Sequence, residues 1–221
     1  SSAFPRSVKG MGLVVLAALM LVRNGDFLGA APFYSQADER ELRTLDAFFK
    51  DPLANFETLK GMKDPGEKIA FYARWNQDRI IDFLKMQYQS FDERKIEILM
   101  YLLRYYRDYP VPNEAARIFS LQPAMFVREL EKSPEWENIV KDISWSWESF
   151  SSGLKALGDS DFEKKVKELA LSFHEEGQRK IQLIGRFVKD AVSNFEEVKK
   201  LDNLEFWLWR YEEAQAKDGV G

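Results

Sequence analysis

The chain contains no cysteine and a single histidine, His174. Without thiols there is no disulfide framework, thiolate nucleophile, zinc–thiolate site or cysteine-linked lipid. Any Ser–His–Asp centre must run through His174, because such a centre needs an imidazole base. Its neighbours do not help. In "LSFHEEG" the two acids that follow, Glu175 and Glu176, project to different sides of a helix. The Glu-x-x-His pair of di-iron bundles would need an acid where Leu171 stands. The prediction is a packing or surface histidine, with no metal site, no resident cofactor and no recognisable catalytic set. Alternating runs of Val, Ile and Thr, which would mark a sheet, are missing too. The glycines of "GLKALGDS" and "GMKDPGEK" lack the spacing of phosphate-binding loops. "DSDFE" at Asp159 lacks the ligand spacing of a calcium loop and reads as a helix start.

Net positive charge is lacking as well. The chain carries −4 overall, and beyond residue 30 it has 29 basic and 35 acidic residues, a net of −6. Nucleic-acid binders present a basic stripe, so nucleic acid is excluded as a partner. "YLLRYYRDYP" mixes Tyr with Arg as single-strand binders do. Its helical spacing instead predicts a packed face with Arg104 and Arg107 in solvent.

What is present is a globular composition, 45% hydrophobic and 31% charged, divided unevenly along the chain. Met11 to Val22 has no polar side chain, and Arg6 and Lys9 precede it. An export signal has such a basic and apolar start, but also a small-residue cleavage site. Here Arg23, Asn24, Gly25 and Asp26 intervene, and the pair Gly29 and Ala31 would put Pro32 beside the cut. A spanning helix needs about 20 apolar residues, whereas Ser7 to Val22 reaches only about 24 Å. Three readings stay open: an anchor or inserted helix carried by Leu13, Val14, Val15, Leu16, Leu19, Met20, Leu21 and Val22, a removed signal, and a buried core helix. As an anchor, the basic flank places the body on the extracytoplasmic side, in a periplasm, lumen or intermembrane space. As a signal, it makes the body a soluble exported protein.

Residues 31–221 read as helices throughout, one acidic domain or two halves, 31–120 and 121–221. "SQADERELRTLDAFFKDP" starts with Ser35 as cap and stops before Pro52. "DPGEKIAFYARWNQDRIIDFLKMQYQ" opens with Asp64 as cap and Pro65 at the first helical position. "SFDERKIEILMYLLRYYRDYP" carries a Ser90–Glu93 capping box. A helix around Glu114–Phe119 and two more, "SLQPAMFVRELEKS" and "SPEWENIVKDISWSWESF", follow. A long final helix, "SDFEKKVKELALSFHEEGQRKIQLIGRFVKDAVSNFEEVKKL", begins at the Ser160–Glu163 box, and Gly177 and Gly185, each costing about 1 kcal/mol relative to Ala, are where it should break or bend. The fold class is all-α, a multi-helix bundle or irregular array with a short hydrophobic N-terminal helix on residues 1–30.

Two Trp-x-Trp pairs remain: Trp145 with Trp147, and Trp207 with Trp209. On a helix, residues two apart point roughly 200° from each other. Either such helices are buried on several sides or one indole of each pair meets a partner. The sequence thus predicts a non-catalytic interaction protein, membrane-associated or exported, whose partners are protein subunits of a membrane complex or membrane lipid. The alternative is a carrier holding an apolar small molecule or lipid among Trp and Phe.

Overall fold

Asp38 opens the first helix of the fold. Its carboxylate accepts from the Glu41 N–H at 2.8 Å, and the Glu41 side chain accepts from the Asp38 N–H at 3.2 Å, closing both halves of a capping box. The computed structural model describes residues 38–108 and 110–219. Among them the chain is helix and turn only: α1 (Glu39–Lys50), α2 (Pro52–Lys60), α3 (Pro65–Gln87), α4 (Glu93–Tyr105), α5 (Val111–Leu121), α6 (Pro123–Glu131), α7 (Trp136–Ser144), α8 (Trp147–Lys155), α9 (Asp161–Lys189), α10 (Ala191–Val198) and α11 (Leu204–Asp218). The fold is all-α. The described residues form two compact units, 38–174 and 175–219, with the border inside α9.

In the first unit α4 is an interior helix. Ile96, Ile98, Leu99, Met100, Leu102 and Leu103 bury more than one of its sides, as a helix surrounded by others requires. It packs against α2, α3, α5 and α6. Above α1, Phe49 stacks on Tyr72 at 5.3 Å and meets Phe83 edge-on at 5.2 Å, binding α1 to α3. A second aromatic centre joins α5, α6 and α8, where the fully buried Phe119 touches Phe126 at 5.2 Å and Phe150 at 4.9 Å. Gly153 of α8 faces the Phe119 ring so closely that a methyl group there would overlap it.

In the second unit the buried side chains are Leu183, Ile184, Phe187 and Val188 of α9, Val198 of α10, and Leu204 and Trp207 of α11. Tyr211 packs toward Gly185.

Several boundaries differ from those expected, each for a local reason. Asp38, not Ser35, caps α1, and Ser35 lies outside the described residues. Pro52 does not merely stop α1. It is the first residue of α2, capped by the Asp51 side chain on the Ala54 N–H at 3.2 Å. Asp92, not Ser90, caps α4, accepting from the Lys95 N–H at 2.9 Å. Asp64 precedes α3 in the left-handed region (φ 49°) and makes no side-chain cap bond. The Ser160–Glu163 box does form, at 3.2 and 3.3 Å. However, α9 runs unbroken past Gly177 and Gly185 and ends at Asp190, whose carboxylate takes the Ser193 N–H at 3.1 Å and starts α10. A competing cap stops this helix where a weak propensity does not.

Helix α3 is kinked at Asn76 (φ −134°, ψ 32°), where the side-chain amide donates to Tyr72 O at 2.9 Å. A side chain inserted into the ladder is a recognised cause of a kink. Asp46 of α1 straddles it, accepting from the Tyr72 hydroxyl at 2.6 Å on one side and pairing with Arg79 on the other.

Candidate functional site

Glu93, Glu97, Met100, Tyr101 and Arg104 follow one another at helical steps and so share one face of α4. That face is one wall of an open groove of about 680 Å³. Phe56 and Lys60 of α2 supply another wall, and Glu129 with Lys132, Ser133 and Pro134 at the end of α6 close it. The base is apolar: Phe56 and Met100 are almost fully buried, and Phe56 meets Tyr101 edge-on at 5.3 Å. Above it the lining is charged.

At one place along the groove two cations share one carboxylate. Glu57 accepts from Lys60 at 2.9 Å and from Arg94 at 2.6 Å, while the other Arg94 nitrogen holds Glu97 at 2.7 Å. Both cations also lie over the Phe56 ring, at 4.7 and 4.9 Å. Lys60 first, then Arg94, holds the Glu57 carboxyl below its usual range. At α6 the arrangement is reversed, several acids around one cation. Glu129 is only 7% exposed and accepts from Lys132 Nζ at 2.8 Å. Glu129 above all, then Glu93 and Glu97, push the Lys132 ammonium above its usual value. Arg104 lies 5.1 Å over the Tyr105 ring and pairs with no carboxylate among the described residues. These groups give the groove a lining charged with both signs. Among the described residues no group of three or more His, Asp or Glu side chains is placed to hold a metal ion.

The Trp pairs occupy two different settings. Trp145 caps the end of α7 and Trp147 begins α8, so a break at Ser146 separates them and the single helix expected across "SWSWESF" does not exist. Trp145 meets Phe173 edge-on at 5.0 Å. Trp147 stacks on the His174 imidazole at 3.9 Å with the rings 7° apart. His174 thus takes part in an aromatic packing cluster. Trp207 and Trp209 do share one helix, α11, and face opposite ways: Trp207 is 7% exposed and Trp209 55%. Lys180 lies 4.9 Å over the Trp207 ring, and Phe206 is 6.1 Å from Trp209. The two pairs belong to different units. Leu13, Val14, Val15, Leu16, Leu19, Met20, Leu21 and Val22 lie outside the described residues. Among those described, no helix is long and apolar enough to cross a membrane.

Two features escaped the sequence. The groove did, because the sequence assigns Glu93 to a capping box and Arg104 to solvent, and nothing in it brings α2 and α6 beside that face. Trp75 did as well, 75% exposed just before the kink at Asn76. The chain matches no protein-family model, no curated protein and no solved structure.

Proposed function

We propose that the chain is a non-catalytic helical interaction protein, an accessory or assembly subunit of a membrane complex. In this reading Leu13–Val22 attach it and the acidic body works on the extracytoplasmic side. The observation that carries it is the Trp209 indole, 55% exposed on α11 while Trp207 two residues away is buried. A large ring held in water is costly, and surfaces covered in an assembly are where such rings concentrate. The charged groove adds a polar recognition surface in the other unit. A carrier of an apolar molecule would need an apolar enclosure, and the groove walls are charged.

The test is chemical crosslinking of the full-length chain in membranes of its native host, followed by mass spectrometry and carbonate extraction. The expected result is a recurrent crosslinked polypeptide and a chain that resists extraction. A fully soluble monomer with residues 1–37 intact and no crosslinked partner would refute it. A lipid retained through native mass spectrometry would move the carrier reading ahead.

A further inference from the structure

We infer that the cleft between α3 and the α4–α5 connection binds a small zwitterion, an α-amino acid with an apolar side chain, its ammonium on Asp108 and its carboxylate on Arg74 and Gln77. The site is separate from the groove along α4 and from the Trp209 face, so the inference goes beyond the interaction reading and does not depend on it.

Residues 106–108 follow α4 and are tied down one after another. The Tyr106 N–H donates to Leu102 O at 2.6 Å and ends α4. The Arg107 guanidinium holds both Asp142 oxygens, at 2.5 and 2.9 Å. The Asp108 carbonyl accepts from the Val111 N–H at 3.2 Å, at the start of α5. Two polar side-chain groups of this fixed stretch are not used in tying it. Tyr106 is only 7% exposed, yet its hydroxyl makes no hydrogen bond to a described residue. The Asp108 carboxylate pairs with no cation among the described residues, and Arg107 beside it is engaged by Asp142. Buried polar groups in folded chains are normally satisfied, so a phenol held this way calls for a partner from outside the chain. Both side chains line one cleft of about 350 Å³.

Helix α3 supplies the rest of the lining. Ala73 and Arg74 precede the kink at Asn76 and Gln77 follows it, while the Phe71 and Tyr106 rings add apolar surface. The cleft thus offers one cation, one carboxylate, a neutral amide, a phenol and two rings. A simple anion would meet Asp108 and a simple amine would meet Arg74, each an opposed charge, whereas a zwitterion satisfies both. The volume is at the small end of ligand pockets and takes one amino acid. Burial first, then the Asp108 charge, pushes the Tyr106 hydroxyl above its usual value. It therefore keeps its proton at neutral pH and can donate it to the ligand carboxylate.

The experiment records amide NMR spectra of the full chain titrated with L-phenylalanine and with L-leucine. Two analogues follow: phenylpropionate, which lacks the ammonium, and phenethylamine, which lacks the carboxylate. At least one amino acid should shift the amides of residues 71–77 and 106–108 saturably. Either analogue should bind about tenfold more weakly or worse than L-phenylalanine, the factor of a lost charge-assisted hydrogen bond. Asp108→Asn should erase the preference for L-phenylalanine over phenylpropionate, and Tyr106→Phe should weaken the amino acid about threefold or more. Asp82→Asn, which removes an exposed acid of α3 outside the cleft, should change neither. Asp108 is exposed, so its variant decides the matter alone if Tyr106→Phe does not fold. No saturable shift with either amino acid, shifts centred elsewhere, an analogue binding as tightly as L-phenylalanine, or equal weakening by Asp82→Asn would each overturn the inference.

Discussion

Replacing Gly153 by Ala sets helix propensity against packing, and the structure says which wins. In an exposed helix the change gains about 1 kcal/mol. Here the new Cβ would lie 3.2 Å from Phe119 Cγ and closer still to Cδ1 and Cε1, inside any ordinary carbon–carbon contact. The ring cannot swing away, because Phe126 and Phe150 fill its flanks at 5.2 and 4.9 Å and none of the three is solvent-exposed. Overpacking a filled core costs about 1–3 kcal/mol, so after the propensity gain Gly153→Ala should destabilise by up to about 2 kcal/mol. A double-mutant cycle makes the cause testable. In a Phe119→Leu background the flat ring is gone, and Gly153→Ala should turn neutral or stabilising, with a coupling energy of about 1–3 kcal/mol, the overpacking cost itself. Urea unfolding at constant m-value supplies the four free energies. A stabilising Gly153→Ala in the parent chain, or coupling below about 0.5 kcal/mol, would show that α5 and α8 do not approach as described.

Four further outcomes are expected. Asp92→Ala should cost about 1 kcal/mol through loss of the α4 cap, whereas Ser90→Ala should be close to neutral, both read by denaturant midpoint. Asp64→Ala should cost about 1 kcal/mol because alanine resists the left-handed φ of 49°, and Asp64→Gly should recover that loss. Tyr72 has its pKa pushed up to about 12 by burial and then by the Asp46 hydrogen bond. A group raised above its unfolded value of about 10 contributes stability that is full below that pH and falls as pH rises toward 12; Tyr72→Phe should flatten this alkaline limb in melts taken across that window. Asp46 titrates in the opposite sense. The Tyr72 hydroxyl first, then Arg79, lower its pKa, so its contribution is present above the unfolded value of about 3.9 and lost on acidification, and Asp46→Asn should remove that part of the acid limb.

Much of this protein follows from short-range pattern. The absence of alternating apolar runs, the capping residues and prolines before helix-forming segments and apolar residues at three- and four-residue steps determined an all-α chain without reference to distant contacts. The capping box at Ser160 and the helical start at Pro65 are local in the same sense, since their partners lie within one turn. Local rules became ambiguous where two caps competed. "SFDE" offers Ser90 and Asp92, and the carboxylate took the amide. They also misplaced breaks, because tertiary packing carries α9 across two glycines whose individual penalties are small beside a buried face.

Only the tertiary structure decided which side of each helix is wet. Trp207 and Trp209 are the same residue type two positions apart, and burial separates them: Lys180 of α9 lies over the Trp207 ring, while Trp209 is 55% exposed. The spacing of Arg104 on α4 sets it in solvent, and only the packing of α2 and α6 beside α4 makes that face the wall of a groove with Glu129 buried beside it. Sequence period states which residues share a face. It carries no information about what lies opposite, and that depends on contacts between residues tens of positions apart.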